Sequence, residues 1–452
     1  MPDEVLIIGG GFAGMAAAVA LSKAGRPVRL LEQKPHLGGR ACSFLDSSTG
    51  SVVDNGQHLF MGCYHQTIHF LKTIGTFDLL TFQAGLTVRF LGLDGRESVL
   101  QCPQLPAPWH LLVGVLKSGS FTWAEKLQIL GMRRALGGSA NSNNGLSALT
   151  VDQWLSGLGQ SESVRRNFWN LICIGAMNED PGIASAELFK RVLKLALFKS
   201  PRDSSLGWAR VGLSDCYTQA ATEFIKSHGG KVEVSRNVTG FLIANGACAG
   251  VTLSDKEMVP ARAVISATPW NKFAGILPPE LLRKEPFFTR ILSLRPAPII
   301  SINLWFDRPI TELEFLGLRG TTIQWLFNKS KIFSASKHPA PRSDAHYISL
   351  VLSGAHKHIG RAKEELLGVA LRELGQLLPA AKEAKLIHSL VIKERFATFS
   401  PAVGAESARP TARTPIHGLY LAGDWTATGL PATIEGAVKS GYTAAGEILQ
   451  KV

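Results

Sequence analysis

Val5-Leu6-Ile7-Ile8-Gly9-Gly10-Gly11-Phe12-Ala13-Gly14 is the stretch on which the fold turns. Four consecutive apolar residues suit a short strand buried on both faces of a parallel sheet, and the glycines at 9, 11 and 14 open an alanine-rich helix through Ala24. Gly9 permits the tight bend, Gly11 lets backbone approach a pyrophosphate, and Gly14 lets helix and strand pack closely. The N–H groups at the helix start, at Phe12 and Ala13, would face the phosphates. A second strand over residues 28–31 ends on Glu32 and Gln33, with Glu32 eighteen residues past Gly14. An acid there suits a ribose diol and repels a 2′-phosphate. Strand, glycine turn, helix, strand and acid in this order predict an adenine dinucleotide site, which a lone glycine triplet would not.

Composition limits what surrounds that site. A chain of 452 residues with 45% hydrophobic content can bury a large core and is expected to divide into two domains. Lys and Arg number 48 against 35 Asp and Glu, a formal net charge of +13. Such a balance suits nucleic acid, an anionic membrane surface or plain solubility. Basic residues occur in runs of at most two, as at Arg133-Arg134 and Lys190-Arg191, with no nucleic-acid-binding motif beside them, so no nucleic acid partner is expected. Six scattered cysteines without a C-x-x-C pair or a Cys/His cluster suit a reduced, cytoplasmic protein with no structural metal. The apolar start lacks a basic n-region and carries Asp3 and Glu4, which argues against a signal peptide, and no uninterrupted apolar run reaches the roughly eighteen residues of a membrane span.

Three further motifs join the first. Leu37-Gly38-Gly39-Arg40 is a second glycine pair, followed by an arginine able to reach the same pyrophosphate. Residues 52–60 read as a strand running into the turn Asp54-Asn55-Gly56-Gln57-His58. Leu419-Tyr420-Leu421-Ala422-Gly423-Asp424 is a strand ending in Gly-Asp, and Thr433-Ile434-Glu435-Gly436 opens a final helix whose positive end would stabilise a nearby anion. Together the four motifs resemble flavoproteins of the amine oxidase and carotenoid desaturase superfamily. The resemblance implies FAD as cofactor and an α/β fold: a discontinuous Rossmann-like FAD-binding domain of residues 1–80, 211–270 and 395–452. A substrate domain of mixed or antiparallel sheet with helices would take 81–210 and 271–394. It also implies that Gly39 and Arg40 meet the pyrophosphate and that Asn55, Gly56 and Gln57 lie against the isoalloxazine ring. Val234 would meet the adenine through its backbone, Gly423 and Asp424 the ribityl or phosphate region, and Thr433 and Ile434 the flavin ring.

Residues 54–64, with Gly423-Asp424-Trp425-Thr426 and Gly429 to Gly436, more narrowly resemble the bacterial hydroxysqualene dehydroxylases, flavoproteins of hopanoid synthesis. That resemblance implies a hydrophobic isoprenoid substrate, hydroxysqualene, which loses its allylic hydroxyl as water and accepts a hydride to give squalene. His58 is the candidate proton donor, because a histidine can hold a proton near neutral pH; Asp54 is expected to fix the turn and Glu435 to cap the last helix. A phytoene-type desaturase would share every FAD motif, and an amine oxidase would need an aromatic cage that Trp425 and five tyrosines do not announce. A lipid-binding escort of the same fold would carry a degraded nucleotide site, against which the intact glycines, Glu32 and Arg40 argue. With one dinucleotide fingerprint in the chain, the electron donor for the flavin stays open.

Elsewhere, residues 109–136 read as two apolar helices around Gly119 and 150–170 as a helix capped by Thr150. Residues 183–199 read as an amphipathic helix with Lys190, Arg191 and Lys194 on one face, either a surface helix packed on its own core or an interfacial helix at the inner face of a membrane, a role for which 109–136 competes. Residues 231–234, 241–253 and 263–267 suggest a three-stranded meander, residues 299–307 a strand partnered by 347–352 and 386–394, with a helix over 363–378, and residues 137–147 and 335–344 loops.

Overall fold

The computed structural model describes residues 4–137, 145–335 and 345–450. Five strands, β1 (Val5–Ile8), β2 (Val28–Leu31), β3 (Lys231–Glu233), β4 (Ala263–Ser266) and β5 (Leu419–Leu421), form one sheet in the order β3-β2-β1-β4-β5. Every pairing in it is parallel. Such a sheet is covered on both faces, which is why its strands are apolar runs rather than alternations. One face packs on α1 (Phe12–Lys23) and α2 (Ile434–Leu449), and the other on Phe241, Trp270, Phe273 and Trp425.

The expected meander is corrected here. Residues 231–233 and 263–266 belong to the parallel sheet, and the antiparallel trio is Val238–Ala244, Ala247–Leu253 and Met258–Pro260, turning at Asn245-Gly246. Burial explains the difference: Ala263–Ser266 is buried at every position, as an inner parallel strand must be, whereas Met258–Pro260 runs exposed, buried, exposed like an edge.

A second, mixed sheet of seven strands contains Pro296–Phe306, flanked antiparallel by His346–Leu352 and Leu386–Phe399 as anticipated. Alternation along Pro296–Phe306 assigns its faces. Ile300, Ile302, Leu304 and Phe306 pack under the helix Lys363–Leu377. Trp305, on the opposite face, stacks on Tyr347 with ring centroids 4.5 Å apart, beside Val53, and donates through Nε1 to Ser51 at 3.1 Å. That face therefore meets the chain just ahead of the 54–58 turn.

A helical layer completes the molecule. Trp109–Lys117 and Trp123–Gly137 are the two helices expected around Gly119. Thr150 does cap, through a capping box with Gln153, but the helix stops at Gly157 and resumes only at Glu162, because Gly159 takes a left-handed φ of 74°. The amphipathic segment is the helix Ala186–Leu197, and its basic face is not a free surface: Lys190 is buried, and Arg191 reaches Glu187, Glu406 and the Gly429 carbonyl. This is the arrangement of a surface helix packed on its own core. Most of 137–147 and 335–344 lies outside the described residues. Among the described residues no helix is long and apolar enough to cross a membrane, and no three His, Cys, Asp or Glu side chains are grouped to hold a metal.

Candidate cofactor and active site

The β1–α1 turn has the form its glycines require. Gly9 has φ of +106°, and a Cβ there would lie 2.9 Å from the Ala267 carbonyl oxygen; a Cβ on Gly14 would lie 1.9 Å from the Gly9 oxygen. α1 begins after Gly11, and no side chain caps its first turn. A helix start left clear of side chains is what a pyrophosphate needs. Glu32, 5% exposed, closes one flank: its Oε2 accepts from Gly10 N at 2.8 Å and its Oε1 from Lys34 N at 2.9 Å. Each carboxylate oxygen keeps a second lone pair for a ribose hydroxyl. Glu32 N also donates to the Glu233 carbonyl at 2.8 Å, which sets the exposed Val234 beside it, while Gln33 next in the chain is exposed.

Hydrogen bonds draw the distant motifs to this turn. Gly38 N donates to the Gly10 carbonyl at 3.0 Å, and Tyr217, stacked on Phe12 at 3.7 Å, donates its hydroxyl to the Gly38 carbonyl at 2.8 Å. Arg40 bonds Asp424 Oδ1 at 2.6 Å and the Ala397 carbonyl at 2.8 Å, and Asn55 Nδ2 donates to the Arg40 carbonyl at 3.2 Å. At α2, Thr433 is the cap, accepting from Gly436 N at 3.0 Å. Glu435 does not cap its own helix as expected. Its carboxylate accepts from Gln66 N at 3.0 Å and from Thr67 N and Oγ1 at 2.9 and 2.8 Å, so it caps the helix His65–Thr73. The uncapped turn, the acid beside it and the Arg40–Asp424 pair together fit a dinucleotide.

The 54–58 turn is anchored from three sides. Asp54 Oδ1 accepts from Leu213 N and Ser43 Oγ, both at 2.9 Å, and Oδ2 from Lys329 Nζ at 2.7 Å. Lys329, which sequence reasoning passed over, also donates to Gln57 Oε1 at 2.7 Å, and both members of the Lys329–Asp54 pair are buried. His58, half-buried by surface but closely surrounded, has its imidazole pulled down to about 4 by burial; Asp54 opposes this, while Arg40 and Lys329 reinforce it. The ring is therefore neutral near pH 7, with roughly one in a thousand cationic. Burial thus works against the expectation that His58 stores a proton near neutral pH.

Comparison with known proteins agrees with this geometry. The family described as flavin containing amine oxidoreductase matches residues 12–449. A 15-cis-phytoene desaturase of an Oncidium hybrid cultivar is 29% identical, over 99% of this chain and 78% of its own length, and one from Synechococcus elongatus is 25% identical over 99% and 96%. A hydroxysqualene dehydroxylase of Sinorhizobium fredii is 28% identical over 98% of each chain. Among solved structures, an oxidoreductase from Methanosarcina mazei superposes with a TM-score of 0.75 at 18% identity, over 99% of this chain and 100% of that one. A putrescine oxidase variant reaches 0.74 at 17%, over 100% and 99%. The chain is an FAD-dependent oxidoreductase and belongs to the flavin containing amine oxidoreductase family.

Proposed function

We propose that this chain catalyses the reductive dehydroxylation of hydroxysqualene to squalene in hopanoid or other triterpene synthesis. The observation that carries the reading is the end-to-end likeness to the Sinorhizobium fredii hydroxysqualene dehydroxylase, with 98% of each chain covered. The Gly9 to Gly14 turn would hold FAD, with Glu32 receiving the ribose, Arg40 and Asp424 the phosphate side, and residues 55–57 and the start of α2 the ring. The segments 1–80, 211–270 and 395–452 hold it, and 81–210 with 271–394 form the substrate side. Once reduced, bound FAD supplies the hydride. The chain's own residues must hold the isoprenoid, exclude water from the allylic carbon and deliver one proton to the departing hydroxyl. His58 is the proposed conduit for that proton: a ring that resists protonation is, when protonated, a stronger acid than an ordinary histidine.

An apolar substrate resides in membrane, and the helices Trp109–Lys117 and Trp123–Gly137 provide a surface to meet one. Trp109, Trp123 and Leu127 are 52%, 70% and 68% exposed, with the exposed Arg133 over the Trp109 ring. Aromatic and aliphatic knobs beside a cation suit an anionic lipid surface.

Phytoene desaturation is the second reading, supported by the Synechococcus elongatus relative, which is matched over 96% of its length. The reduced protein, incubated anaerobically with hydroxysqualene, is expected to form squalene with one flavin oxidised per product. No squalene from hydroxysqualene, together with desaturation of 15-cis-phytoene by the oxidised protein, would reverse the assignment.

A further inference from the structure

Lys329 stands in Leu326-Phe327-Asn328-Lys329-Ser330-Lys331-Ile332, a stretch with no motif to mark it. It follows the strand Trp325–Asn328 of the seven-stranded sheet, and its side chain is only 1% exposed. Nζ meets Asp54 Oδ2 and Gln57 Oε1, each at 2.7 Å, and lies 3.8 Å from the centroid of the Phe333 ring. An ammonium has three N–H donors, and these three partners account for them. Burying such a cation is costly unless its partners offset the lost hydration. The sheet does not demand that cost, for Lys331, two residues on, reaches the surface and pairs with Glu312. Both hydrogen-bond partners of Lys329 belong instead to the 54–58 turn, on a segment 275 residues away for Asp54 and 272 for Gln57.

We propose that Lys329 is a positioning residue, whose ammonium neutralises the buried Asp54 carboxylate and turns the Gln57 amide oxygen inward, so that the turn meets the flavin with a fixed amide N–H face and no net charge. This rests on the placement of the flavin ring against residues 55–57. The Gln57 amide nitrogen then points to the His58 carbonyl, which it reaches at 3.2 Å. The charged and titratable neighbours are few: Asp54, Arg40 and Lys329 act on His58, while burial pulls the Lys329 ammonium down and Asp54, with Cys216, opposes that pull. Burial pushes the Cys216 thiol far up, so it stays uncharged and Asp54 is the counter-ion. Without Lys329 the Asp54 carboxylate keeps its bonds from Leu213 N and Ser43 Oγ but loses its buried counter-ion. It would raise the proton affinity of His58 and disfavour the electron-rich reduced flavin.

The test is the midpoint potential of FAD in the full-length holoprotein without substrate, in wild type, Lys329→Met, Lys329→Arg and the double variant Lys329→Met with Asp54→Asn. Lys329→Met is expected to shift the two-electron equilibrium at least about tenfold toward oxidised flavin, about 30 mV lower. The charge-neutral double variant should return to within about threefold of wild type, and Lys329→Arg should stay within that range. An unchanged potential in Lys329→Met, or a double variant no nearer to wild type than the single one, overturns the proposal. If Lys329→Met does not load FAD, the double variant decides: loading with a wild-type potential supports charge compensation, and failure to load makes the lysine a packing element only. Because no substrate is present, the outcome does not depend on whether hydroxysqualene is turned over.

Discussion

His58 shows how far one residue's surroundings can move its chemistry. Its folded-state pKa of about 4 lies below the ordinary value of 6.5, so between those values the unfolded chain binds the extra proton. Stability is therefore full above about pH 6.5 and lost as pH falls toward 4, by up to about 3 kcal/mol, and denaturant titrations of His58→Gln should show a flatter profile across that window. If His58 conducts the proton, turnover should fall about tenfold per pH unit above about pH 5, and a variant His58→Ala with full turnover and the same slope would remove it from the reaction. Glu435 is a second residue whose work lies away from its own helix. Glu435→Ala leaves two backbone N–H groups at the start of His65–Thr73 without their acceptor and is expected to cost about 2 kcal/mol by equilibrium unfolding. Neither Glu435's partners nor Lys329's were legible in the sequence. A cap is read from neighbours three residues apart, and these bonds join residues hundreds apart.

At the scale of elements, what could be read depended on whether local pattern and tertiary environment agree. β1, its glycine turn and α1 were legible because a parallel strand needs an apolar run and a close turn needs glycine, both visible within ten residues. β3 and β4 were recognisable as strands but not as partners of β2 and β1, because a short apolar run does not specify which sheet it joins. In the 183–199 segment helical periodicity reported a helix packed on its own core, but not that the Gly429 carbonyl and Glu406 wait beside its basic residues. The turn itself makes a sharp prediction. Gly14→Ala puts a methyl group 1.9 Å from the Gly9 oxygen, so the protein should be purified without bound FAD and with stability lower by about 3 kcal/mol or more, read from flavin absorbance and thermal unfolding. At the helix pair, Trp123→Ser with Leu127→Ser should lower binding to anionic phosphatidylglycerol vesicles at least about tenfold in co-sedimentation while leaving the melting temperature in place, since both side chains are already exposed.

Across the whole molecule, the site is made where pieces of chain from both ends and the middle are tied to one turn. Arg40 and Asp424 are 384 residues apart, and Lys329 and Asp54 are 275 apart, so the cradle exists only when both sheets are folded. A ligand bound to such a cradle has no counterpart in the unfolded chain, and its binding free energy is then fully coupled to folding. Removing FAD is therefore expected to lower the stability of the protein as a unit, and adding it back should raise the midpoint with the logarithm of its concentration. A hundredfold excess over Kd contributes about 2.7 kcal/mol. Arg40→Met should reduce that increment, because it loses the bond to Asp424 and the one to the Ala397 carbonyl together. The pair is part-exposed, so the apoprotein itself should lose about 1 kcal/mol or less. Calorimetry of the two apoproteins and their FAD titrations separates the effects: a midpoint indifferent to FAD in wild type would mean that the cofactor is held by a part that unfolds independently of the rest, and the account of a single stitched site would fail.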